Sequence, residues 1–220
     1  MTYYDLTIDK YLQIKEVLEN ATDELSTQVS LLAVLNECTE DELLDMPLEE
    51  YKRKVADLNF LSEPLVPHPN CPKTITINKE VFEAVRDVKK FTAGQYIDYN
   101  SLLKSEDFYS VIPNILACFF IPKGKDYGKE YDIMEVAEKI KNNISIGFAL
   151  DVCFFFQMQS VRSINSMLDS LVLMTKVQMF KTRDKEMKMK LKTALSKIQQ
   201  LRASFNDGVG STILTQYRRP

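Results

Sequence analysis

The sequence predicts a mainly α protein of the α+β kind, a helical bundle with a small β-hairpin after a proline-rich linker. Three observations predict it. Apolar residues recur at three- and four-residue steps through most of the 220 residues. Pro64, Pro67, Pro69 and Pro72 interrupt that rhythm, because proline lacks the amide donor a helix interior needs. Directly after them, Thr74–Ile77 and Glu80–Val85 carry the β-branched residues Ile75, Ile77, Val81 and Val85 on either side of Asn78-Lys79, the pattern of two strands joined by a tight turn.

Taken in order, Thr7 is placed to cap a first helix from Ile8 to Asn20, with Ile8, Tyr11, Leu12 and Leu18 apolar. A second helix over Asp23 to Asn36 carries Leu25, Val29, Leu32 and Leu35 at helical spacing. Thr39 and Glu42 form a capping box that opens a short helix through Leu43 and Leu44. Pro47 suits the first turn of the next helix, which runs to Leu61 with Leu48, Tyr51, Val55 and Leu58 in one stripe. After the linker and hairpin, Thr92 and Gln95 form a second capping box before a helix carrying Tyr96, Ile97, Tyr99, Leu102 and Leu103. A helix over Asp107 to Phe120 contains Pro113 and stops at Pro122. Further helices span Asp132 to Asn142 and Ile146 to Phe180. The latter begins with Phe148, Val152, Phe154, Phe155 and Phe156; apolar residues on every side predict a central helix or one in an oligomer interface. Asp184 to Ala203 is basic and amphipathic, with Met187, Leu191, Leu195, Ile198 and Leu201 in its stripe. Gly208 and Gly210 mark the rest as a tail. The domain organisation is thus an acidic helical unit over 1–63, a linker over 64–73, a hairpin plus helical bundle over 74–204 and a tail over 205–220.

Missing residues narrow the function. The single histidine, His68, lies between two prolines, so a Ser-His-Asp or Cys-His site would have to be built on it. His68 and Cys71 supply two ligands, and two do not complete a tetrahedral metal site. Among six glycines there is neither a G-x-G-x-x-G nor a G-x-x-x-x-G-K-[ST] run. The loop Lys123 to Tyr131, with two glycines and three lysines, reads either as a phosphate contact or as a solvated turn. No catalytic, cofactor-binding or metal-ligating residue is assigned, and no enzyme is expected. Cys38, Cys71, Cys118 and Cys153 are widely spaced and read as reduced thiols of a cytosolic setting. The longest apolar run, Ile144 to Phe156, is broken by Ser145, Gly147 and Asp151. It falls short of the roughly 20 residues of a membrane span, so no membrane partner is expected. The opening Met-Thr-Tyr-Tyr-Asp lacks the basic start and apolar core of a secretion signal.

The charge is polarised. Residues 1–63 hold 5 basic and 15 acidic side chains, a net of −10, whereas residues 176–220 hold 11 basic and 3 acidic, a net of +8. Opposite potentials at two ends of one chain steer head-to-tail association between copies. Two solvated helical faces explain the same charge without a partner. The candidate interface pairs Lys185, Lys188 and Lys192, with Ile213, Leu214 and Tyr217 of the tail, against Glu40, Asp41 and Glu49 of a neighbour. A basic helix also suits DNA. With no interleaved aromatic residues for base stacking, such contact is not sequence-specific.

Three stretches then carry a resemblance. The run from Leu32 through Thr39, Glu40, Asp41, Glu42, Asp45, Pro47 and Leu48 to Tyr51, continuing to Phe60-Leu61, resembles the helical start of tail-assembly proteins of tailed bacteriophages. The runs Phe91 to Asp98, Phe120 to Lys125 and Tyr131 to Ile133 are similar to stretches of crAss-like phage proteins. The resemblance covers about residues 25–160 and consists of helix caps and packing residues, so it carries over no catalytic residue. It implies non-enzymatic work. The options are a virion subunit in a ring or connector of the tail or head–tail region, made in the host cytoplasm, and a tail assembly chaperone that leaves before the virion is finished. Its implied partners are copies of itself and other phage tail or portal proteins.

Overall fold

Nine α-helices and one three-stranded antiparallel sheet are seen among the described residues, a mainly α, α+β architecture. The structure is a computed structural model that describes residues 1–216, of which 164, 202 and 204–216 are described by their backbone alone. It divides into two compact units, Met1–Phe156 and a second unit that begins at Gln157.

In the first unit, α1 (Ile8–Glu19) starts where the Thr7 hydroxyl accepts the Lys10 N–H, and it buries Ile8, Tyr11 and Ile14. Ile14, rather than the predicted Leu18, completes the inner face. The next helix, α2 (Glu24–Asn36), is capped by Asp23 and buries Val29, Leu31, Leu32 and Leu35, while the predicted Leu25 is exposed. It packs on α3 (Glu40–Leu44) and α4 (Leu48–Ala56), followed by a 3-10 segment over Asp57–Ser62. Val29, Leu32 and Leu43 form the heart of this cluster, with Cys38, Met46, Tyr51, Val55 and Leu58 against it.

The hairpin forms as predicted. Strands β1 (Thr74–Ile77) and β2 (Glu80–Ala84) pair with Ile77 opposite Glu80. Asn78 and Lys79 both take positive φ, 50° and 68°, as a two-residue turn matched to strand twist requires. A third strand, β3 (Phe120–Pro122), continues directly from the helix before it and pairs with β2, setting Phe82 opposite Pro122. Between them lie α5 (Ala93–Leu102), opened by the predicted Thr92–Gln95 box, and α6 (Phe108–Phe119), which passes through buried Pro113 without ending. The main core gathers α6, α7 (Ile133–Asn143) and the start of α8 (Ile146–Lys181), where Ile112, Leu116, Phe119, Ile140, Ile146, Leu150 and Phe156 are sealed from solvent. The Phe119 and Phe156 rings stack at 3.6 Å.

The proline-rich stretch belongs inside this unit. The Asp151 carboxylate accepts the His68 backbone N–H, and the Asp151 carbonyl accepts the Asn70 N–H at 3.4 Å. Cys71 is buried. The division into compact units therefore differs from the one read in the sequence. It falls within α8, which begins in the first unit and continues into the second. In the second unit, α9 (Lys185–Gln216) also differs from the expected tail. Its backbone stays helical through Gly208 and Gly210 to Gln216.

Candidate functional site

The acidic candidate surface is built by the entry to α3. Thr39 stands in extended backbone, its hydroxyl accepts the Glu42 N–H at 3.2 Å, and the Glu42 carboxylate accepts the Thr39 N–H at 2.8 Å. That bond holds the Glu42 carboxyl below the usual carboxylate range. The box fixes the first turn, so Glu40 and Asp41 point into solvent while Leu43 anchors beneath them. The Ser30 hydroxyl donates to Glu40. Glu49, in the first turn of α4, pairs with exposed Lys52 at 3.0 Å, an exposed contact worth at most about 1 kcal/mol. Leu44 and Leu48, which lie between Asp41 and Glu49 in the sequence, stand 67% and 65% exposed. The surface thus carries exposed carboxylates and two exposed leucines on neighbouring short helices.

The basic candidate surface lies on α9. Asp184 accepts the Glu186 N–H at 2.8 Å and starts the helix. Lys185, Lys188 and Lys192 are all exposed, and their three- and four-residue spacing sets them on one face. Lys190 pairs with Glu186 at 2.7 Å. Leu191, Leu195 and Ile198 are half-buried and form the inner stripe. Ile213 and Leu214 fall on the helical backbone of α9 with side chains outside the described set, and Tyr217 lies outside the described residues.

Groups with chemical potential elsewhere are engaged or muted. His68 is exposed, and its backbone N–H serves Asp151. Burial pushes the thiols of Cys71 and Cys118 up to about 11 and that of Cys153 to about 12, which disfavours the nucleophilic thiolate. In the loop after β3, Lys123 faces Glu83 at 4.0 Å, Lys129 pairs with Asp126 at 3.0 Å, and Lys125 donates to the Glu130 carbonyl at 3.4 Å. Its three lysines thus face a β2 carboxylate, a loop carbonyl and a loop carboxylate. The open cleft between α1 and α2 is lined by Gln13, Glu16, Thr22, Ser26 and Ser30. Among the described residues no group of three or more His, Cys, Asp or Glu stands ready to hold a metal ion, and no helix is long and apolar enough to cross a membrane.

Sequence reasoning missed Asp151, a carboxylate only 7% exposed that also accepts the Tyr4 hydroxyl at 2.9 Å. Its signal was a lone acidic residue inside the most apolar run of the chain. In comparisons with known proteins, the chain matches no family model, no curated protein and no solved structure.

Proposed function

We propose that this chain is a non-enzymatic structural subunit of a tailed-phage virion, set in a ring or connector of the tail or head–tail region and acting by protein–protein assembly. The observation that carries the assembly reading is the separation of charge onto two exposed surfaces. Glu40, Asp41 and Glu49 are exposed on α3 and α4 together with bare Leu44 and Leu48, and Lys185, Lys188 and Lys192 line one face of α9. Copies meeting head to tail through such surfaces make a heterologous contact, the kind that closes into rings. The phage setting rests on the resemblance of residues 25–160 to tail-assembly and crAss-like phage stretches.

A tail assembly chaperone is the second reading. It is favoured by exposed Leu44 and Leu48 lying inside the stretch that resembles tail-assembly proteins, since a groove for a partner's amphipathic helix needs such anchors. Mass spectrometry of purified particles separates the two. A resident subunit is present in many copies per particle. A chaperone is absent from particles and co-purifies with a tail protein from infected cells. A third use of α9, non-specific DNA binding, predicts an affinity for duplex DNA that falls steeply with salt.

A further inference from the structure

The three-stranded sheet has one closed edge and one open edge. In β2, alternate residues turn their backbone groups to opposite neighbours. Val81, Glu83 and Val85 serve the β3 side, where the Lys123 N–H bonds the Val81 carbonyl at 2.9 Å and the Val85 N–H bonds the Phe119 carbonyl at 2.8 Å. Glu80, Phe82 and Ala84 serve the β1 side, where the Ala84 N–H bonds the Lys73 carbonyl at 2.8 Å. Beyond β3 the edge is blocked. Pro122 has no N–H, its carbonyl accepts the Lys125 N–H at 3.0 Å, and the Phe120 N–H is given to the Leu116 carbonyl. Beyond β1 the same alternation points the N–H and C=O groups of Thr74 and Thr76 outward. Both threonines are exposed, and among the described residues no hydrogen bond reaches those outward groups. Support for the strand comes from its inner face, where Ile77 is buried and Lys139 of α7 pairs with Glu80, directly opposite Ile77, at 3.0 Å. The open edge is also flanked by cations. From Pro64 to Lys79 the chain carries Lys73 and Lys79 and no carboxylate side chain. Both lysines are exposed, and among the described residues neither has an ion-pair partner. The carboxylates of β2 are engaged elsewhere, Glu80 by Lys139 and Glu83 by Lys123.

We propose that β1 receives an extended segment of a partner protein as a further strand, antiparallel to β1, and that this segment carries carboxylates at both ends. Thr74 and Thr76 each supply one backbone donor and one backbone acceptor to it. The partner residue opposite Ile75 lies on the inner face and shields that half-buried side chain, so an apolar residue fits there. Those opposite Thr74 and Thr76 lie on the outer face, where β-branched polar residues fit. Charge selects this occupant. The unpaired cations at either end of the edge attract acidic flanks. The same cations disfavour a second copy of the strand. Two antiparallel β1 strands meeting about Ile75 bring Lys73 of one toward the Ile77–Lys79 end of the other, like charge beside like charge. This edge is separate from the head-to-tail surfaces above, and neither contact depends on the other.

The test titrates the full-length protein with the end-blocked peptide Glu-Asp-Val-Thr-Val-Thr-Val-Asp-Glu, followed by amide magnetic resonance and hydrogen exchange. Saturable binding is expected, with exchange of the Thr74 and Thr76 amides slowed at least about 10-fold at saturation. Unchanged exchange at both amides overturns the proposal. A peptide with lysine at the four acidic positions should bind at least about 10-fold more weakly at low salt, and equal or tighter binding rejects the acidic occupant. Thr76→Pro removes one outward donor while leaving the ladder to β2 intact, since proline is tolerated where an edge N–H faces solvent. It should lower the peptide's affinity at least about 10-fold, and undiminished affinity rejects the edge. Lys73→Gln with Lys79→Asn leaves every backbone group in place and guards against misfolding of the proline variant. It should weaken the acidic peptide several-fold at low salt and bring it level with the lysine peptide, and an unchanged preference for the acidic peptide rejects the role of the two lysines. Protection of Thr74 and Thr76 that grows with protein concentration in the absence of peptide assigns the edge to a second copy and overturns the proposal, without touching the proposed function.

Discussion

Replacing Asp151 with alanine removes one carboxylate and releases two segments at once. In the native chain it accepts the Tyr4 hydroxyl at 2.9 Å and the His68 N–H, pinning the N-terminal turn and the proline-rich stretch to the start of α8. A hydrogen bond to a charged group contributes about 1.5–3 kcal/mol, and removing one partner of a buried pair leaves the other to bear its desolvation. Tyr4 is 45% exposed, so water replaces most of its bond. The His68 amide is only partly reached by solvent and loses more. The combined cost is about 3 kcal/mol, which lowers the thermal midpoint of a chain this size by about 6–12 °C. Asp151→Asn keeps one carbonyl oxygen for the His68 N–H, while its NH₂ group faces a Tyr4 hydroxyl that turns to accept, and it should cost about 1 kcal/mol. The assay is thermal unfolding of both variants, together with hydrogen exchange at the His68 and Asn70 amides, which should quicken in the alanine variant. A midpoint unchanged within about 1 °C, with unchanged exchange at both amides, refutes the assignment of Asp151 as the anchor.

Other consequences are equally direct. Phe156 is sealed and stacked on Phe119 at 3.6 Å, so Phe156→Ala should cost about 3–5 kcal/mol in urea unfolding. A loss under 1 kcal/mol would mean the stack is not central to the core. Half-exposed Cys38 should react first with a thiol reagent at mildly alkaline pH, while buried Cys71, Cys118 and Cys153 wait for unfolding; equal rates for all four contradict the burial described. Burial and the bond to Asp151 raise the Tyr4 hydroxyl from 10.0 to about 12. A raised folded value means the neutral form is favoured in the native state, so this contribution is fully present below pH 10 and is lost as pH climbs from 10 through 12. Alkaline tyrosine absorbance should therefore lose a late-titrating group in Tyr4→Phe, and an unchanged titration curve refutes the assignment.

Local signals in the sequence located most helices and the hairpin. The Thr39–Glu42 and Thr92–Gln95 boxes and the Asn78-Lys79 turn are decided by residues within four positions of one another, so they read directly from the chain. What failed was set by distant partners. Leu18 and Leu25 share the helical spacing of the buried positions on α1 and α2, yet they face solvent because no other element covers them. Strand β3 is three residues long and ends in proline, and it is a strand only because β2 lies beside it. The proline-rich stretch has the composition of a linker, but its anchor lies 83 positions away in sequence from His68. The charge of the two candidate surfaces was legible by counting. The bare leucines on one surface required knowledge of which residues the fold leaves outside.

The most direct test of the account is charge reversal read by sedimentation of the full-length protein. Lys185→Glu with Lys188→Glu and Lys192→Glu, or Glu40→Lys with Asp41→Lys and Glu49→Lys, should each abolish head-to-tail assembly at low salt, where Coulomb steering is strongest. Mixing the two reversed proteins should leave each unable to assemble alone yet able to join the other through contacts of restored sign. Assemblies that survive both reversals, or that ignore salt altogether, would contradict the claim that this chain works by joining its acidic end to a basic one.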